Sequence, residues 1–255
     1  MTGPITEPAL RKAAGPLDHV RGNALEWEML GTHGLKRRKL GEDPETGHVT
    51  NLVYIPEGWR GGGVAHFHDA FEEVYMLEGS VTLDGNHYFR KGVYFYRPGH
   101  IVHGHDERSE EGALALVRSD GLLSLQLIHE PEQPIEYPLP AADDARGHVF
   151  ELAIADVAPR PDPALPEGWM IKTFSTDPRS GARTFEALVP AGWQGEAAAL
   201  GVSWEAYVLD GALEGAGETW GAGDYTVGAS DTPLLGATAS LEGARILVWT
   251  FGAAS

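Results

Sequence analysis

The stretch His66-Phe67-His68-Asp69-Ala70-Phe71-Glu72-Glu73-Val74-Tyr75-Met76-Leu77-Glu78-Gly79 combines the residue types of a metal site with the pattern of a β-strand. His66 and His68 are separated by one residue, so on a strand both side chains point to the same face. A carboxylate, Glu72 or Glu73, follows. A second histidine group, Pro98-Gly99-His100-Ile101-Val102-His103-Gly104-His105, comes later in the chain. Three imidazoles and one carboxylate form the ligand set of a divalent transition metal, so we predict such a site.

Composition limits the classes of function. The 255 residues suffice for one large β domain or two domains of about 120 residues. A net charge of −18 argues against nucleic-acid and anionic-membrane partners, because both need a basic surface. The chain has no cysteine, which excludes disulfides, thiolate nucleophiles and cysteine metal sites. We see no apolar run long enough to span a membrane and no signal peptide, and we expect a cytoplasmic protein.

Short strand-like segments follow one another from Trp27 onward, and no long amphipathic pattern interrupts them. Among them are Thr50–Pro56, Val93–Arg97, Ala113–Arg118 and Leu122–Ile128. They are rich in β-branched and aromatic residues, and Asp84-Gly85 between two of them indicates a tight hairpin. The 33 glycines and 17 prolines favour many turns. This pattern predicts an all-β sandwich or jelly roll, preceded by an N-terminal arm over residues 1–25.

The chain repeats itself, with a proline-rich segment at 136–149 as the predicted linker. Five segments recur in the same order: Gly34–Leu40 as Gly168–Phe174, Asp43–Gly47 as Asp177–Gly181, Ile55–Trp59 as Val189–Trp193, Glu73–Gly79 as Glu205–Gly211, and Gly92–Tyr94 as Gly223–Tyr225. We therefore predict two domains of the same fold, over residues 26–135 and 150–255.

The second copy retains the turn and strand signals but not the metal chemistry. Around Ala198–Leu200, Val202 and Trp204 it has apolar residues in place of His66, His68 and Glu72, and it has Leu234 or Leu235 in place of His103. Such side chains cannot bind a metal, but they can fill a β-barrel. The histidines are therefore not needed to make the fold.

At these residues the sequence resembles the cupin superfamily. His66-X-His68-(X)3-Glu72-(X)6-Gly79 is similar to its first motif, although the leading glycine, Gly61, is one position short. Gly92-(X)5-Pro98 with His103 five residues on is similar to the second motif; Gly99 comes one position early and the terminal asparagine is missing. The resemblance covers about residues 26 to 255 and implies a bicupin, two tandem jelly-roll barrels with a metal site only in the first.

The resemblance also narrows the ligands to His66, His68, Glu72 and His103. Glu73 has the opposite strand parity to Glu72 and recurs as Glu205 in the copy without a site, which suggests a structural role. His105 shares a face with His103 and is expected beside the site. Arg97, His105 and Tyr75 are the candidates for a catalytic role; Arg97 can equally form a salt bridge with acidic neighbours, and Tyr75 can equally be core.

Three hypotheses for function remain open. The first is an Fe(II)-type dioxygenase acting on a small diketone, enol or phenolic ketone, with Fe(II) favoured and Mn, Ni, Zn or Co as alternatives. The second is a non-redox metal-dependent isomerase, decarboxylase or lyase. The third is a small-molecule or metal-binding cupin without turnover. The expected partners are a small-molecule substrate, O2 in the first hypothesis, and further copies of the chain in a homodimer or larger homo-oligomer.

Overall fold

The computed structural model describes residues 17–44, 47–133, 135–142 and 145–252, and in these ranges the protein is almost entirely β. It divides into two compact units, an N-terminal unit over Leu25–Asp156 and a C-terminal unit over Val157–Ser255 that also takes in the residues up to Ala24. The helical content of the described ranges is three short 3-10 turns, at Gly22–Ala24, Ile154–Asp156 and Leu234–Gly236. None of the helices in these ranges has the length and hydropathy needed to cross a membrane.

The N-terminal unit is built from fourteen strands: β2 Glu28–Leu30, β3 Leu35–Glu42, β4 Val49–Ile55, β5 Trp59–Arg60, β6 Ala65–Phe67, β7 Glu72–Thr82, β8 Tyr88–Arg90, β9 Val93–Arg97, β10 Ile101–Val102, β11 Arg108–Ser109, β12 Ala113–Ser119, β13 Gln126–Ile128, β14 Tyr137–Pro138 and β15 Val149–Ala153. Its main sheet has the order β15-β9-β7-β12-β4-β3-β2, and β6 pairs with β13 while β10 pairs with β14. All of these pairings are antiparallel.

The C-terminal unit repeats this sheet order. Its strands are β1 Val20–Arg21, β16 Met170–Thr176, β17 Arg183–Val189, β18 Trp193–Gln194, β19 Trp204–Gly215, β20 Glu218–Gly221, β21 Asp224–Gly228, β22 Ala237–Ser240 and β23 Ala244–Thr250. They run β1-β21-β19-β23-β17-β16, with β19, β23 and β17 in the places of β7, β12 and β4. The predicted all-β fold is therefore confirmed.

Buried structural details recur in both units where the sequence repeats. The Tyr94 hydroxyl donates a 2.6 Å hydrogen bond to Glu73, and the Tyr225 hydroxyl donates a 3.0 Å bond to Glu205. Gly79 in β7 and Gly211 in β19 have φ of 66° and 73°, and a Cβ on either glycine would clash with the backbone at the start of the paired strand, β12 or β23. The repeated sequence signals thus mark the turns and buried bonds that build each unit.

Strand β7 directs alternate side chains into and out of the N-terminal core. Val74 and Met76 lie in the same buried cluster as Phe95, and Glu72 has the same parity at the start of the strand. The opposite face carries Glu73 and Tyr75. Glu72 is thereby directed into the unit together with an apolar wall.

Two boundary predictions differ from the structure. The predicted linker at 136–149 contributes β14, whose Tyr137 is buried with Ala65 and Val102, and it ends where β15 pairs with β9. Its prolines end strands without freeing the segment from the N-terminal unit. The predicted strand Leu122–Ile128 is reduced to β13, because a turn with a Ser124 N–H to Leu122 carbonyl bond occupies its first part.

The predicted N-terminal arm is only partly described. Residues 1–16 lie outside the described ranges. The described part forms β1, in which Val20 pairs with Tyr225 and Arg21 with Asp224. This end of the arm therefore completes the sheet of the C-terminal unit.

Candidate metal centre

Backbone pairing brings His66 and His103 together. His66 lies on β6, and the two residues form an isolated antiparallel bridge with reciprocal N–H to carbonyl bonds of 2.8 Å. His68 follows directly after β6. Ligand nitrogens of His66, His68 and His103 all lie within 4.8 Å of one another, and all three residues are buried. Among the described residues, these three histidines form the group that can hold a metal ion.

The three imidazoles share one orientation. Each Nδ1 faces a backbone carbonyl: that of Val64 at 3.3 Å for His66, of Ser124 at 3.1 Å for His68 and of Ile101 at 2.9 Å for His103. A carbonyl can only accept, so each Nδ1 carries the proton and each Nε2 presents a lone pair. Such outer hydrogen bonds are typical of metal-binding histidines, so the donor set fits a divalent transition metal.

The surroundings favour the neutral form of His66 and His103. Burial, followed by the Arg97 charge, lowers the pKa of His103 well below its ordinary value. Burial and the neighbouring His68 also lower the pKa of His66. Neutral imidazole is the form that binds metals.

A buried charge network borders the histidines. The Arg97 guanidinium donates to Glu72 at 2.7 Å and to Glu136 at 2.6 and 2.9 Å, and His148 is 3.1 Å from the other Glu136 oxygen. Glu72 in turn lies 3.8 Å from His103 Nε2. Burial by itself would raise the pKa of Glu72, but Arg97, His68 and His66 together hold it below its usual value. The carboxylate is therefore ionised beside the imidazoles.

Glu73 belongs to a different part of the unit. Its carboxylate accepts from Tyr94, from Arg118 at 3.2 Å and from Arg146 at 3.2 Å. Glu73 thus has a structural set of partners, and Glu72 is the member of the pair that lies near the histidines.

Glu107 is a second carboxylate at the site that the motif did not include. Its Oε1 lies 4.0 Å from His66 Nε2. Burial, and next the charge of Glu72, raise the pKa of Glu107 to about 7. The signal for it was present, since Glu107 follows His103 by the same four residues that separate Glu72 from His68. Glu136 and His148 carried no comparable signal, because they lie in or beside the proline-rich segment.

The three catalytic candidates lie in different environments. Arg97 is buried and fully engaged by Glu72 and Glu136. Tyr75 has the parity of Glu73, on the strand face away from Glu72. His105 lines a cavity of about 10 Å³ together with His103, Gly104, Glu136 and Phe150. That volume holds about one water molecule, so His105 is the candidate with the most direct access to space beside the histidines.

The C-terminal unit shows what replaces these groups. The bond from the His103 N–H to the His66 carbonyl corresponds to one from Leu234 to Ala198, and the strand pair of Glu72 and Arg97 corresponds to Trp204 opposite Gly228. The Trp204 ring packs so closely over Gly228 that a Cβ there would clash with it. A fully buried tryptophan therefore occupies the place of the ion pair.

Comparisons with known proteins agree with this fold. Residues 17–122 match the family model described as the ChrR cupin-like domain, a range that contains all three histidines, Glu72 and Glu107. Similar solved structures include a putative dioxygenase from Nostoc punctiforme (16% identity, TM-score 0.77, covering 92% of this chain and 82% of that one). They also include oxalate decarboxylase from Bacillus subtilis (14% identity, TM-score 0.56, 96% and 78%). A search of curated proteins found no significant match.

The family match shows that residues 17–122 are similar to a cupin-like domain. At such low identity the solved structures establish the fold alone, a cupin-type jelly roll. The predicted cupin resemblance is confirmed for residues 17–122 and for the fold.

Proposed function

We propose that the protein is a metal-dependent cupin enzyme, and specifically an Fe(II)-type dioxygenase acting on a small diketone, enol or phenolic ketone. The observation that carries the proposal is the convergence of three buried histidines, each oriented by a backbone carbonyl. The similar fold of a protein described as a putative dioxygenase adds support.

His66, His68 and His103 would hold the metal, with Glu72 as the carboxylate of the site. A bound divalent transition metal supplies Lewis acidity toward the oxygens of a bidentate substrate and, as Fe(II), reactivity toward dioxygen. Arg97 fixes Glu72 and balances its charge, and Glu136 and His148 fix Arg97 in turn. Val74, Met76 and Phe95 form an apolar wall that excludes water.

The test is metal analysis of anaerobically purified protein, followed by oxygen uptake with acetylacetone and a panel of phenolic ketones. We expect about one iron per chain and substrate-dependent oxygen uptake, both lost in His103→Leu, which carries the residue found in the C-terminal unit. Tightly bound zinc or nickel without oxygen uptake would refute the dioxygenase.

A second candidate is a non-redox isomerase, decarboxylase or lyase, favoured by the fold shared with oxalate decarboxylase. It predicts substrate consumption without oxygen uptake. The third hypothesis, a cupin that binds without turnover, predicts binding of metal and ligand with neither substrate consumption nor oxygen uptake.

We also infer that the C-terminal unit is a degenerate second cupin, so that the whole chain is a bicupin. The matched sheet order, bends and buried Tyr–Glu bonds support this interpretation. The prediction of a homodimer or larger homo-oligomer stands, and sedimentation equilibrium tests it.

A further inference from the structure

The two carboxylates are the most solvent-accessible groups of the metal centre. The side chains of Glu72 and Glu107 are each 18% exposed, whereas those of His66 and His103 are 6% and 4% exposed. A molecule entering from solvent therefore meets negative charge before it reaches the imidazoles.

Arg97 is a cationic side chain next to the centre, and its charge is already paired. Arg97 is the arginine that acts on Glu107, His66 and His103. Its guanidinium is already shared between Glu72 and Glu136 in a buried network. An Arg97 side chain so engaged cannot pair with a substrate carboxylate unless one of those two bonds breaks.

The position of Glu107 is specific to the unit that has the histidines. A Cβ on Gly104 would clash with the His66 ring and lie 3.2 Å from Glu107 Oε1, so this glycine makes room for both side chains. Gly61 N–H donates to the Glu107 carbonyl at 2.9 Å, and the matching bond in the C-terminal unit runs from Gly195 to Thr238. Thr238 thus stands where Glu107 does, and the carboxylate accompanies the histidines.

We propose that Glu107 makes the centre selective for small oxygen ligands that arrive as neutral molecules, such as β-diketones, over carboxylate dianions such as oxalate. The inference rests on the proposed metal site and names its substrate class. A dianion would bring two negative charges beside Glu72 and Glu107, whereas a neutral diketone brings none, and the hydroxyl of its enol form can donate a hydrogen bond to Glu107.

The test uses the full-length protein loaded with Co(II), which reports ligand binding through its visible spectrum without oxygen chemistry. Acetylacetone and oxalate are titrated separately at about pH 8. We expect wild type to bind acetylacetone more tightly than oxalate. In Glu107→Gln the dissociation constant for oxalate should fall at least about tenfold while cobalt content is unchanged, and a tenfold change equals about 1.4 kcal/mol.

Two further variants exclude trivial explanations. Glu110→Gln removes the same charge from an exposed neighbour paired with Arg60 and Arg108, and should leave oxalate affinity within about twofold of wild type. Glu107→Thr introduces the residue that the C-terminal unit has at the matching position. It should give the same increase in oxalate affinity, and it replaces Glu107→Gln in the test if that variant folds poorly.

The outcomes separate this inference from the proposed function. Oxalate binding by wild type as tight as acetylacetone binding, or equal effects of Glu107→Gln and Glu110→Gln, would refute the selectivity alone. Loss of cobalt from Glu107→Gln would make Glu107 a metal ligand and also refute it. Failure of wild type to take up cobalt would refute the metal site and the selectivity together.

Discussion

At the scale of single residues, the centre depends on side chains that the fold itself does not need. The C-terminal unit has Ala198, Leu234 and Trp204 at the positions of His66, His103 and Glu72, and it buries Leu234 and Trp204. Catalytic and ligand residues can therefore be replaced without dismantling the unit. This independence allows ligand binding and stability to be measured separately.

His103→Leu should abolish metal binding without unfolding the protein. Leucine matches the residue of the C-terminal unit and removes a buried polar ring, so the apo variant should unfold within a few degrees of apo wild type, since a change of 1 kcal/mol moves the midpoint by only about 2–4 °C at this size. Metal content by mass spectrometry and circular dichroism melting are the measurements. A variant that fails to fold would instead make the histidine structural.

Glu136 should make the N-terminal unit sensitive to acid. Burial alone would raise the pKa of Glu136, but Arg97 and the bond to His148 lower it to about 2. Because the folded-state pKa lies below the unfolded value, the stabilisation is present above about pH 4.5 and is lost as pH falls toward 2, by at most about 3 kcal/mol. Urea unfolding at about pH 5, 4 and 3 measures the slope.

The matched comparison for that slope is Glu136→Gln, which cannot titrate. The free energy of unfolding of Glu136→Gln should fall less steeply with acid than that of wild type. Glu110→Gln, which removes an exposed carboxylate, should keep the wild-type slope. Equal slopes in wild type and Glu136→Gln would contradict the assignment.

The sequence indicated that His66 and His68 lie together, because strand parity places residues separated by one on the same face. The resemblance to the cupin motifs added His103, and the structure brings the three together. Their role as ligands stays a prediction. The partners of Arg97 could not be predicted, because Glu72 is 25 residues away and Glu136 is 39 residues away along the chain. The pairing of β7 with β9 brings Glu72 to Arg97, and the pairing of β14 with β10 holds the segment that carries Glu136.

At the scale of elements, backbones come into close contact at one glycine of the N-terminal unit and not at another. Gly79 and Gly92 both have positive φ, at 66° and 81°. A Cβ at Gly79 would clash with the backbone of Gly112 and Ala113, whereas one at Gly92 would have no heavy atom within 4 Å. The two glycines therefore separate the effect of contact from that of backbone conformation.

Gly79→Ala should destabilise the N-terminal unit clearly more than Gly92→Ala. Alanine at positive φ costs about 1 kcal/mol in either case, and the contact at Gly79 adds several tenths to a few kcal/mol on top. Chemical denaturation of both variants measures the difference. Equal losses of unfolding free energy in the two variants would show that the backbones at Gly79 and Gly112 can move apart at low cost.

Most strands could be predicted from the sequence, since β4, β9 and β12 match their apolar runs to within a residue. Strand β13 could not, because the Leu122–Ser124 turn depends on hydrogen bonds that apolar periodicity does not encode.

At the scale of the whole molecule, the described part of the N-terminal arm belongs to the sheet of the C-terminal unit. Deleting residues 1–24 should therefore speed amide hydrogen exchange in β21, whose edge β1 covers, and leave metal binding intact. Exchange resolved by peptide mass spectrometry tests this, with β9, covered by β15, as the internal reference. Faster exchange in β9 rather than β21 would contradict the pairing.

The repeat predicted two similar units, but it could not predict that the second takes a strand from the start of the chain. Local sequence carries no information about which distant edge a two-residue strand such as β1 will join. The linker was misjudged for a related reason, since proline content indicates turns and does not reveal the burial of Tyr137.

Pairing of Val20 with Tyr225 has a consequence for biosynthesis. The chain emerges from the ribosome at about 5–20 residues per second, so the partner of this early segment is not made until roughly 10–40 seconds later. During that interval the N-terminal unit can fold as its strands are synthesised, but Val20 and Arg21 do not yet have β21 to pair with. Pairing of this segment therefore waits until Tyr225 has been translated, and a ribosome that stalls before Tyr225 leaves Val20 and Arg21 unpaired beside a folded N-terminal unit.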